Sequence, residues 1–360
     1  MIVDSSYREI ARVRAGNGHT VDAHELLLTP EGTALITCSP SNVSADLSSI
    51  GGAKDGKVAE SVIQEIDVES GRVLLEWRSL EHVSVLESYV RPGGIYDFMH
   101  ANSIDVAPDG NLLVSGRHTW ALYKLERRTG QVMWRLGGKR SDFAMGPHAQ
   151  FAWQHDGRWV GDRRITVFDD GAALFGGTQP ARASHAQSRG LTLEVDEARK
   201  TVREVRSYRH HPSLLAYSFG NMQTLPDRDV VIGWGDLPVF SRFAPHGAVL
   251  AEAHLPPGYA SYRAFQQPWK GVPAERPALV AARAGAQHRT KLYASWNGAT
   301  AVAAWRVSLG RRPGTLRPFL RVSAHSFETP IRIDTTTGYA SVTALDRRGR
   351  ALGTSHPVKL

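Results

Sequence analysis

Apolar and polar positions alternate along residues 99–139 in four short runs, HANSIDV, NLLVSGR, ALYKLER and QVMWRLG. This period of two is typical of half-buried β-strands. Turn residues separate the runs, with Pro108-Asp109-Gly110 between the first two and Thr129-Gly130 before the last. Because glycine supplies the positive φ of a tight reversal, the pattern predicts four antiparallel strands in one up-and-down sheet, as in a propeller blade.

The same unit recurs along the chain. An earlier copy reads DAHELLLTPEGTALITCSP and ESVIQEIDVESGRVLLEWRS, a third contains FAWQHDGRWVGDRRITVFDDG and SRGLTLEVDEARKTVREVRSY, and a fourth is GNMQTLPDRDVVIGWGDLPVFSRFAPHGAVLAEAHL. A repeat of roughly 45 to 75 residues is typical of propeller blades. With remnants in residues 1–15 and 262–282, we predict an all-β fold whose main part is a six-bladed β-propeller, with five blades as the alternative.

The pattern changes near residue 288. ERPALVAARAGAQ reads as the last propeller strand followed by a linker of small residues, and short alternating runs with turns follow it. About seventy residues of this kind suit a small fibronectin- or immunoglobulin-like β-sandwich with Trp296 and Trp305 in its core. We therefore predict two domains, a propeller over residues 1–287 and a C-terminal sandwich over residues 288–360, and no chemistry in the second.

Composition limits the possible partners. The chain is 42% hydrophobic and 22% charged, as expected of a globular protein. Its net charge of +8 would suit an anionic partner, but the arginines are scattered and no nucleic-acid-binding motif is present, so we predict no nucleic-acid partner. No run of ~20 apolar residues predicts a membrane span. Cys38 is the single cysteine, which excludes an intrachain disulfide.

Candidate chemistry lies on the first strand of each repeat. In a propeller these inner strands meet at the central channel, where an unpartnered polar group costs ~1–3 kcal/mol. One buried histidine is usually a satisfied core residue, but three at comparable places favour a site. The polar residues offered by the four first strands are Asp22, His24, His100, Asn102, Gln154, His155, Asp156, Asn221 and Gln223.

The other polar residues each allow a structural and a functional interpretation. Arg117 and His118 are consecutive on a predicted strand, so only one is expected to face the channel. Arg189 either reaches the channel or caps a sheet edge, and Asp169 either ends a strand or belongs to the site. Three histidines are potential metal ligands, but no His-x-His pair supports this, and no Gly-x-Ser-x-Gly nucleophile motif is present. We predict neither a metal nor a cofactor.

Segments between residues 20 and 270 resemble the arylsulfotransferase (arylsulfate sulfotransferase) family. The resemblance is carried by DAHELLLTPEG, HANSIDVAPDGNLLVSGRHTW, YKLERRTGQVMWRLGGKRSDF, FAWQHDGRW, ITVFDDG, QSRGL, GNMQTLP and IGWGDLPVFSRF. It implies a six-bladed propeller, transfer of a sulfuryl group between phenolic sulfate esters and phenols without a nucleotide donor, and a channel histidine that carries the group covalently. It also implies an extracytoplasmic protein, although the first residues, MIVDSSYREIARV, lack the pattern of a signal peptide, which suggests a start upstream of this chain.

The resemblance also assigns residues. His100, His155, His118 and His24 correspond to catalytic positions. Apart from the resemblance, the positions of Asn102, Arg117, Arg189 and Asp169 at or near strand ends lead us to expect that these residues contact substrate. The chain departs from the family where its nucleophilic histidine is expected, because SFGNMQTLPDRDVVIGWGDLPVF contains none; His210 or His211 is the nearest replacement. Two alternatives therefore stay open. One is non-catalytic binding of a small aromatic, glycan or peptide ligand, and the other is a different reaction in the same channel.

Overall fold

A computed structural model describes residues 1–174, 182–283 and 289–360. The all-β prediction is confirmed: the described helical segments are one short α-helix, Ser79–His82, and three 3₁₀ turns at Ser48–Ile50, Val85–Glu87 and Pro313–Thr315. The chain forms two compact units. The propeller-like unit is Val13–Gln266, and the C-terminal unit is Gln267–Leu360 together with Met1–Arg12. Within the described residues, no helix is both long and apolar enough to cross a membrane.

The first two strands, β1 (Ile2–Val3) and β2 (Glu9–Ala11), pair as a hairpin in the C-terminal unit. The propeller-like unit then begins with sheet 1, which contains β3 (Val21–Leu28), β4 (Thr33–Ala45), β5 (Gly56–Asp67) and β6 (Val73–Arg78), with β7 (Ile95–Tyr96) parallel to β5. Sheet 2 contains β8 (Ala101–Val106), β9 (Leu112–Gly116), β10 (Ala121–Leu125) and β11 (Val132–Gly137).

Sheets 3 and 4 continue the pattern. Sheet 3 contains β12 (Ala144–Met145), β13 (His155–Val160), β14 (Arg164–Asp169), β17 (Arg189–Asp196) and β18 (Thr201–Tyr208), and β15 (Ala172–Ala173) pairs separately with β16 (Arg182–Ala183). Sheet 4 contains β19 (Asn221–Thr224), β20 (Val230–Gly233), β21 (Val239–Phe243) and β22 (Val249–His254). The four repeats predicted from alternation are therefore confirmed as four sheets in which four strands pair antiparallel, with the short strands β7 and β12 added in parallel to sheets 1 and 3.

Successive sheets pack face to face, because both faces of the inner sheets are apolar. In β9, Val114 packs into a core shared with Ile63 and Trp77 of sheet 1. Its neighbour Leu113 points to the opposite face and packs with Leu191 of sheet 3, as period-two geometry requires. Each such fully buried side chain contributes about 1.5–3 kcal/mol by burial.

The segment Tyr262–Gln266 contains no regular strand but lies along two first strands. The Asn221 side chain accepts from the Ala264 amide and donates to its carbonyl, at 2.7 Å each. Arg263 reaches Glu25 on β3 at 3.1 Å. The segment thus joins sheet 4 to sheet 1 without adding a blade. Six blades stay a prediction, since the described residues of this unit form four such sheets.

The C-terminal unit is also built from antiparallel strands. One sheet contains β23 (Ala278–Arg283), β24 (Thr290–Ser295) and β27 (Glu328–Ile333), and the other contains β25 (Ala304–Gly310), β26 (Arg317–Ser323), β28 (Tyr339–Leu345), β29 (Ala351–Thr354) and β30 (Val358–Lys359). Trp305 is buried in a core that both sheets share, and Trp296 packs at its margin.

One reading of the sequence is wrong in this region. β23 is not a last propeller strand, because it pairs with β24 from Ala278↔Ser295 to Arg283↔Thr290. An alternating run near a domain boundary does not reveal its pairing partner, which is what decides its sheet. The predicted linker residues 284–287 lie outside the described part of the chain.

Candidate active site

Four histidines predicted from the first strands and their neighbours lie together, around a tyrosine that the sequence did not single out. The rings of His24 and His100 meet edge to face, with centroids 5.0 Å apart and planes at 88°. His118 lies 4.8 Å from His100, also between ring centroids. Tyr262 lies 5.5 Å from His24 and 6.2 Å from His155. The prediction that these strands bring their histidines to one place agrees with this geometry.

Each of two histidines has a carboxylate on its Nδ1 atom. His100 Nδ1 donates to Asp97 Oδ2 at 2.5 Å, and His24 Nδ1 pairs in the same way with Asp22 Oδ1. Both imidazole side chains are 27% exposed. Among the residues that the structure describes, neither Nε2 atom has a hydrogen-bond partner. Each pair therefore has an imidazole oriented through Nδ1, with Nε2 left without a protein partner on a partly exposed ring.

The Asp97 carboxylate is held in its charged form. Burial acts to raise its pKa, but the charge and hydrogen bond of His100, with His118 and Arg117 nearby, outweigh burial and lower the pKa to about 2. An ionised carboxylate at this place keeps the proton of His100 on Nδ1 and leaves the lone pair on Nε2.

His118 is buried, and both its ring nitrogens bind protein groups. Nδ1 donates to the backbone carbonyl of Asp97 at 2.6 Å, and Nε2 accepts from Arg117 Nη1 at 2.9 Å. Burial, followed by the charges of His100 and Arg117, lowers the pKa of His118 to about 3. His118 is thus a neutral imidazole with a fixed tautomer that holds the Arg117 guanidinium in place.

The placement of Arg117 and His118 on a strand is wrong, because β9 ends at Gly116 and both residues lie in the following turn. The expectation that only one of them faces the channel rested on that placement. Alternation applies to extended strands and not to turns. Arg117 also donates to the carbonyl of Tyr217 at 2.8 Å and lies 5.7 Å from the ring of Trp153. Its buried positive charge therefore stands close to the histidines.

Both ring nitrogens of His155 also contact protein groups. Its Nδ1 is 2.8 Å from Asp170 Oδ2, and its Nε2 accepts from the Phe219 amide at 3.3 Å. Burial is the main cause that lowers the pKa of His155 and raises the pKa of Asp170. Asp170 Oδ1 is buried and has no hydrogen-bond partner among the described residues. In this geometry His155 positions the backbone at Phe219.

Asp169 and Arg189, two of the predicted substrate contacts, pair with each other. Arg189 Nε donates to Asp169 Oδ2 at 2.8 Å, and His185 Nδ1 lies 3.0 Å from the same oxygen. Asp170, the first residue after β14 ends, is the one that meets His155. The alternative that Asp169 and Arg189 are structural residues is the one this packing favours.

Asn102 lies on the inner strand of sheet 2 and is fully buried. Its side-chain Nδ2 donates to the backbone carbonyl of Gln154 at 2.8 Å. The backbone carbonyl of Asn102 accepts from Tyr262 Oη at 3.2 Å and from Arg263 Nη2 at 2.8 Å. Asn102 Oδ1 is buried without a partner among the described residues. Asn102 therefore connects neighbouring first strands with the Tyr262–Gln266 segment.

A buried ion network lies beside the histidines, and its two carboxylates each come one residue after a site histidine in the sequence. Glu25 comes after His24, and Asp156 comes after His155. Arg158 contacts both carboxylates, at 2.5 Å and 2.8 Å, and Arg263 contacts them at 3.1 Å and 3.3 Å. The positive charges of the two arginines compensate the negative charges of the two carboxylates. This pairing is what allows charged groups to be buried. Of these, the sequence had indicated only Asp156.

Backbone strain gathers around the same site. His100, Trp153, Asp156 and Phe219 adopt left-handed φ values of 53°, 60°, 57° and 69°. Residues other than glycine rarely adopt this region, and such strain is found most often at functional sites. The site therefore has a second signature besides its histidines.

The structure also tests the donor set for a metal. Asp97, His100 and His118 offer ligand atoms within 4.8 Å of one another. His118 has no free lone pair, however, because Nδ1 donates to a carbonyl and Nε2 accepts from Arg117. With a guanidinium in contact as well, this donor set fits a protein hydrogen-bond network better than a divalent cation.

Protein groups engage both ring nitrogens of His210. Its Nδ1 contacts the Pro212 carbonyl at 2.6 Å, and its Nε2 contacts Glu252 on the outermost strand β22 at 2.6 Å. His211, its neighbour, is exposed. The contacts of His210 tie the β18–β19 connection to the edge of sheet 4, so its role there is structural.

Comparison with known proteins adds a family. A family model described as Arylsulfotransferase (ASST) matches residues 1–255, about seven-tenths of the 360 residues. No curated protein sequence matches the chain with significance. The family match covers every histidine of the site and stops before Tyr262.

Solved structures with similar chain paths have low sequence identity. A protein of unknown function from Bacteroides caccae is 14% identical, with 77% of this chain and 71% of that chain covered and a TM-score of 0.34. The hydrazine synthase of Kuenenia stuttgartiensis is 10% identical, with 96% and 68% covered and a TM-score of 0.35. The PQQ-bound aldose sugar dehydrogenase of Streptomyces coelicolor is 14% identical, with 72% and 80% covered and a TM-score of 0.28.

Proposed function

This chain belongs to the arylsulfotransferase (ASST) family, and we propose that it transfers a sulfuryl group from a phenolic sulfate ester to a phenol without a nucleotide donor. One observation carries the proposal. Two carboxylate–histidine pairs, Asp22–His24 and Asp97–His100, meet with their rings 5.0 Å apart and partly exposed. A two-step transfer needs one imidazole as nucleophile and another as acid and base.

His100 is the proposed nucleophile. Its Nε2 lone pair attacks the sulfur of the aryl sulfate, the bond between sulfur and the ester oxygen breaks, and the phenolate leaves with the electron pair. Asp97 stabilises the positive charge that develops on the ring, as a carboxylate does for any histidine that reacts through Nε2. The product of this step is a sulfuryl group on His100 and a free phenol, once the phenolate has gained a proton.

His24 is the proposed source of that proton. As an imidazolium beside Asp22, it protonates the departing phenolate from Nε2 and becomes neutral. In the second step it takes the proton of the acceptor phenol, whose oxygen then attacks the sulfur on His100. The sulfuryl group ends on the acceptor oxygen and the acceptor's proton ends on His24. His100 is then free again, and the enzyme has returned to its first state.

Arg117, His118 and His155 act as positioning residues in this proposal. Arg117 supplies a buried positive charge near the sulfuryl oxygens, and His118 holds the guanidinium. His155 holds the Phe219 backbone beside Tyr262, whose ring is 5.2 Å from that of Phe219. These two aromatic side chains offer a wall for the aryl group. Asn102, Asp169 and Arg189 then support the fold around the site instead of contacting substrate.

Release of 4-nitrophenolate from 4-nitrophenyl sulfate tests the reaction. We expect release that requires an added phenol, with the sulfated phenol found in equal amount by mass spectrometry. Release that proceeds equally without a phenol would instead identify a hydrolase in the same channel. The proposed extracytoplasmic location follows from the family and is tested by fractionating cells that express the natural gene product.

Non-catalytic binding is the second candidate, and one observation favours it. The described residues of β19 and its flanks carry no histidine, and His210 is engaged with Glu252. A binder would take up an aryl sulfate at saturation without releasing phenolate. Equilibrium binding of 4-nitrophenyl sulfate, measured beside the release assay, separates the two functions.

A further inference from the structure

The positive charge of the chain is concentrated in its C-terminal unit. Residues 267–360 contain fifteen lysines and arginines against four acidic residues, whereas residues 13–266 contain twenty-six against twenty-nine. Twelve of those fifteen are arginines. The family match ends at residue 255 and does not cover this unit. Such an asymmetry between two parts of one chain indicates an anionic partner for the basic part.

Several of these arginines lie next to one another. Arg306 on β25 stands directly opposite Arg321 on β26. Like charges at directly opposed positions destabilise a sheet, and Arg306 Nε is buried with no hydrogen-bond partner among the described residues. Arg321 Nη1 lies 3.9 Å from the position that a Cβ atom would take on Gly349. The charge therefore continues from the sheet into the turn of residues 346–350.

Asp346 gives this turn a fixed shape. Its Oδ1 accepts from the amides of Arg348 and Arg350, at 2.9 Å each, and its Oδ2 accepts from Arg350 Nε at 2.7 Å. Both carboxylate oxygens are thus used within the turn. Arg347 and Arg348 are exposed, and within the described residues neither has a salt bridge.

A cleft of about 650 Å³ lies beside the turn, and its lining includes Trp269, Lys270 and Thr300 together with the turn residues Arg347, Arg348 and Arg350. Trp269 is 51% exposed. Its Nε1 donates to Tyr7 Oη at 2.9 Å, and that hydroxyl donates to the carbonyl of Gly298 at 2.8 Å. The indole is therefore held in place at the edge of the cleft, and about half of Trp269 is exposed.

We propose that the C-terminal unit binds an acidic polysaccharide through this cleft, with its lining residues Arg347 and Arg348, and through the nearby Arg306 and Arg321. Guanidinium groups match the geometry of sulfate and carboxylate groups, and a fixed tryptophan face packs against the apolar face of a sugar ring. This binding is independent of the proposed sulfuryl transfer.

The other anionic polymers fit less well. Single-stranded nucleic acid is held by successive aromatic platforms, and the cleft offers one aromatic ring. Anionic membranes are usually bound by lysine-rich amphipathic helices, whereas the arginines here line strands, a turn and a concave cleft. The polysaccharide is therefore the partner that the observations favour.

Binding of the full chain to dextran sulfate tests the proposal, with uncharged dextran and an oligothymidylate as comparison ligands. The variant Lys270→Ala/Arg347→Ala/Arg348→Ala removes three cations at the cleft. The control Lys54→Ala/Arg72→Ala/Arg128→Ala removes three exposed cations from the propeller-like unit, so the two variants have the same net charge. We expect the Kd for dextran sulfate to rise roughly tenfold in the cleft variant and less than about twofold in the control.

Trp269→Ala is expected to weaken dextran sulfate binding severalfold without any change in charge. Equal weakening in the two triple variants, or no binding of dextran sulfate by the wild type, would overturn the site. Tighter binding of the oligothymidylate than of dextran sulfate would overturn the choice of polysaccharide. Since the substitutions lie far from His24 and His100 in the sequence and in another unit, phenol-dependent nitrophenolate release reports separately on the proposed function.

Discussion

The ring edge of one histidine meets the ring face of another at the centre of the site, where His24 and His100 have centroids 5.0 Å apart and planes at 88°. Each of the two has a carboxylate on Nδ1. Their neighbours His118 and His155 are different, because protein groups engage both of their nitrogens. This separation divides four similar residues into a reactive pair and a supporting pair.

Removing either reactive imidazole is expected to stop transfer. His24→Ala and His100→Ala should each lower phenol-dependent nitrophenolate release by at least ~100-fold, the usual contribution of a positioned acid, base or nucleophile. Asp97→Asn should lower kcat more than it raises KM, because the amide no longer favours the Nε2 lone pair. His211→Ala, at an exposed histidine outside the cluster, is the matched control. Near-normal rates in His24→Ala or His100→Ala would refute their assignment.

His155 is expected to matter for stability more than for chemistry. His155→Ala leaves the Asp170 carboxyl and the Phe219 amide without their partner, and each unpaired buried group costs ~1–3 kcal/mol. Urea denaturation should therefore show a loss of about 2–4 kcal/mol in the free energy of unfolding. A variant that kept full stability and lost all transfer would show that His155 reacts directly.

His118 is expected to make stability depend on pH. In the unfolded chain its pKa is near 6.5, whereas in the folded protein burial, His100 and Arg117 lower it to about 3. As the pH decreases, His118 therefore takes up a proton in the unfolded state before it does so in the folded state. The free energy of unfolding then falls between pH 6.5 and pH 3, by up to about 1.4 kcal/mol per pH unit.

Denaturation in steps across this interval, with wild type and His118→Gln side by side, measures the contribution. The glutamine does not titrate, so the difference in unfolding free energy between the two proteins should depend on pH in this range and become constant above it. A difference that stayed constant throughout would mean that His118 is not the group responsible.

The buried ion network is expected to be sensitive to loss of one partner. Arg263→Met leaves Glu25 and Asp156 with Arg158 alone and leaves the backbone carbonyl of Asn102 with Tyr262 Oη as its remaining donor. Breaking a buried network in this way costs about 3–5 kcal/mol. Arg242→Met, at a more exposed arginine paired with Asp229, should cost less than about 1 kcal/mol. Similar losses in both variants would contradict the importance of the buried centre.

Alternation and turn residues were sufficient to predict the strands of the four sheets, because each strand has a two-residue period that does not depend on distant partners. The histidines were found for the same reason, since equivalent places in repeats converge. Asp97 was missed although it lies three residues before His100, because a loop gives no period to follow. Tyr262 and Arg263 were missed because their segment has no strand, and only folding brings it between sheets 4 and 1.

Prediction from the sequence was also limited at turns and at the domain boundary. Arg117 and His118 looked like consecutive strand positions, but the strand ends at Gly116 and the turn lets both side chains meet. The pairing of β23 with β24 depends on a partner from beyond residue 288. Whether a histidine is reactive also depends on what occupies its second nitrogen, which is a tertiary property.

The most direct test is to look for the sulfuryl group on the protein. Wild-type protein incubated with 4-nitrophenyl sulfate without an acceptor, then quenched and digested at alkaline pH, is analysed by mass spectrometry. We predict one SO₃ group on His100, absent from His100→Ala and removed when a phenol is added before quenching. Phenol-dependent turnover in a protein whose His100 is never modified, or modification of another histidine instead, would contradict the account.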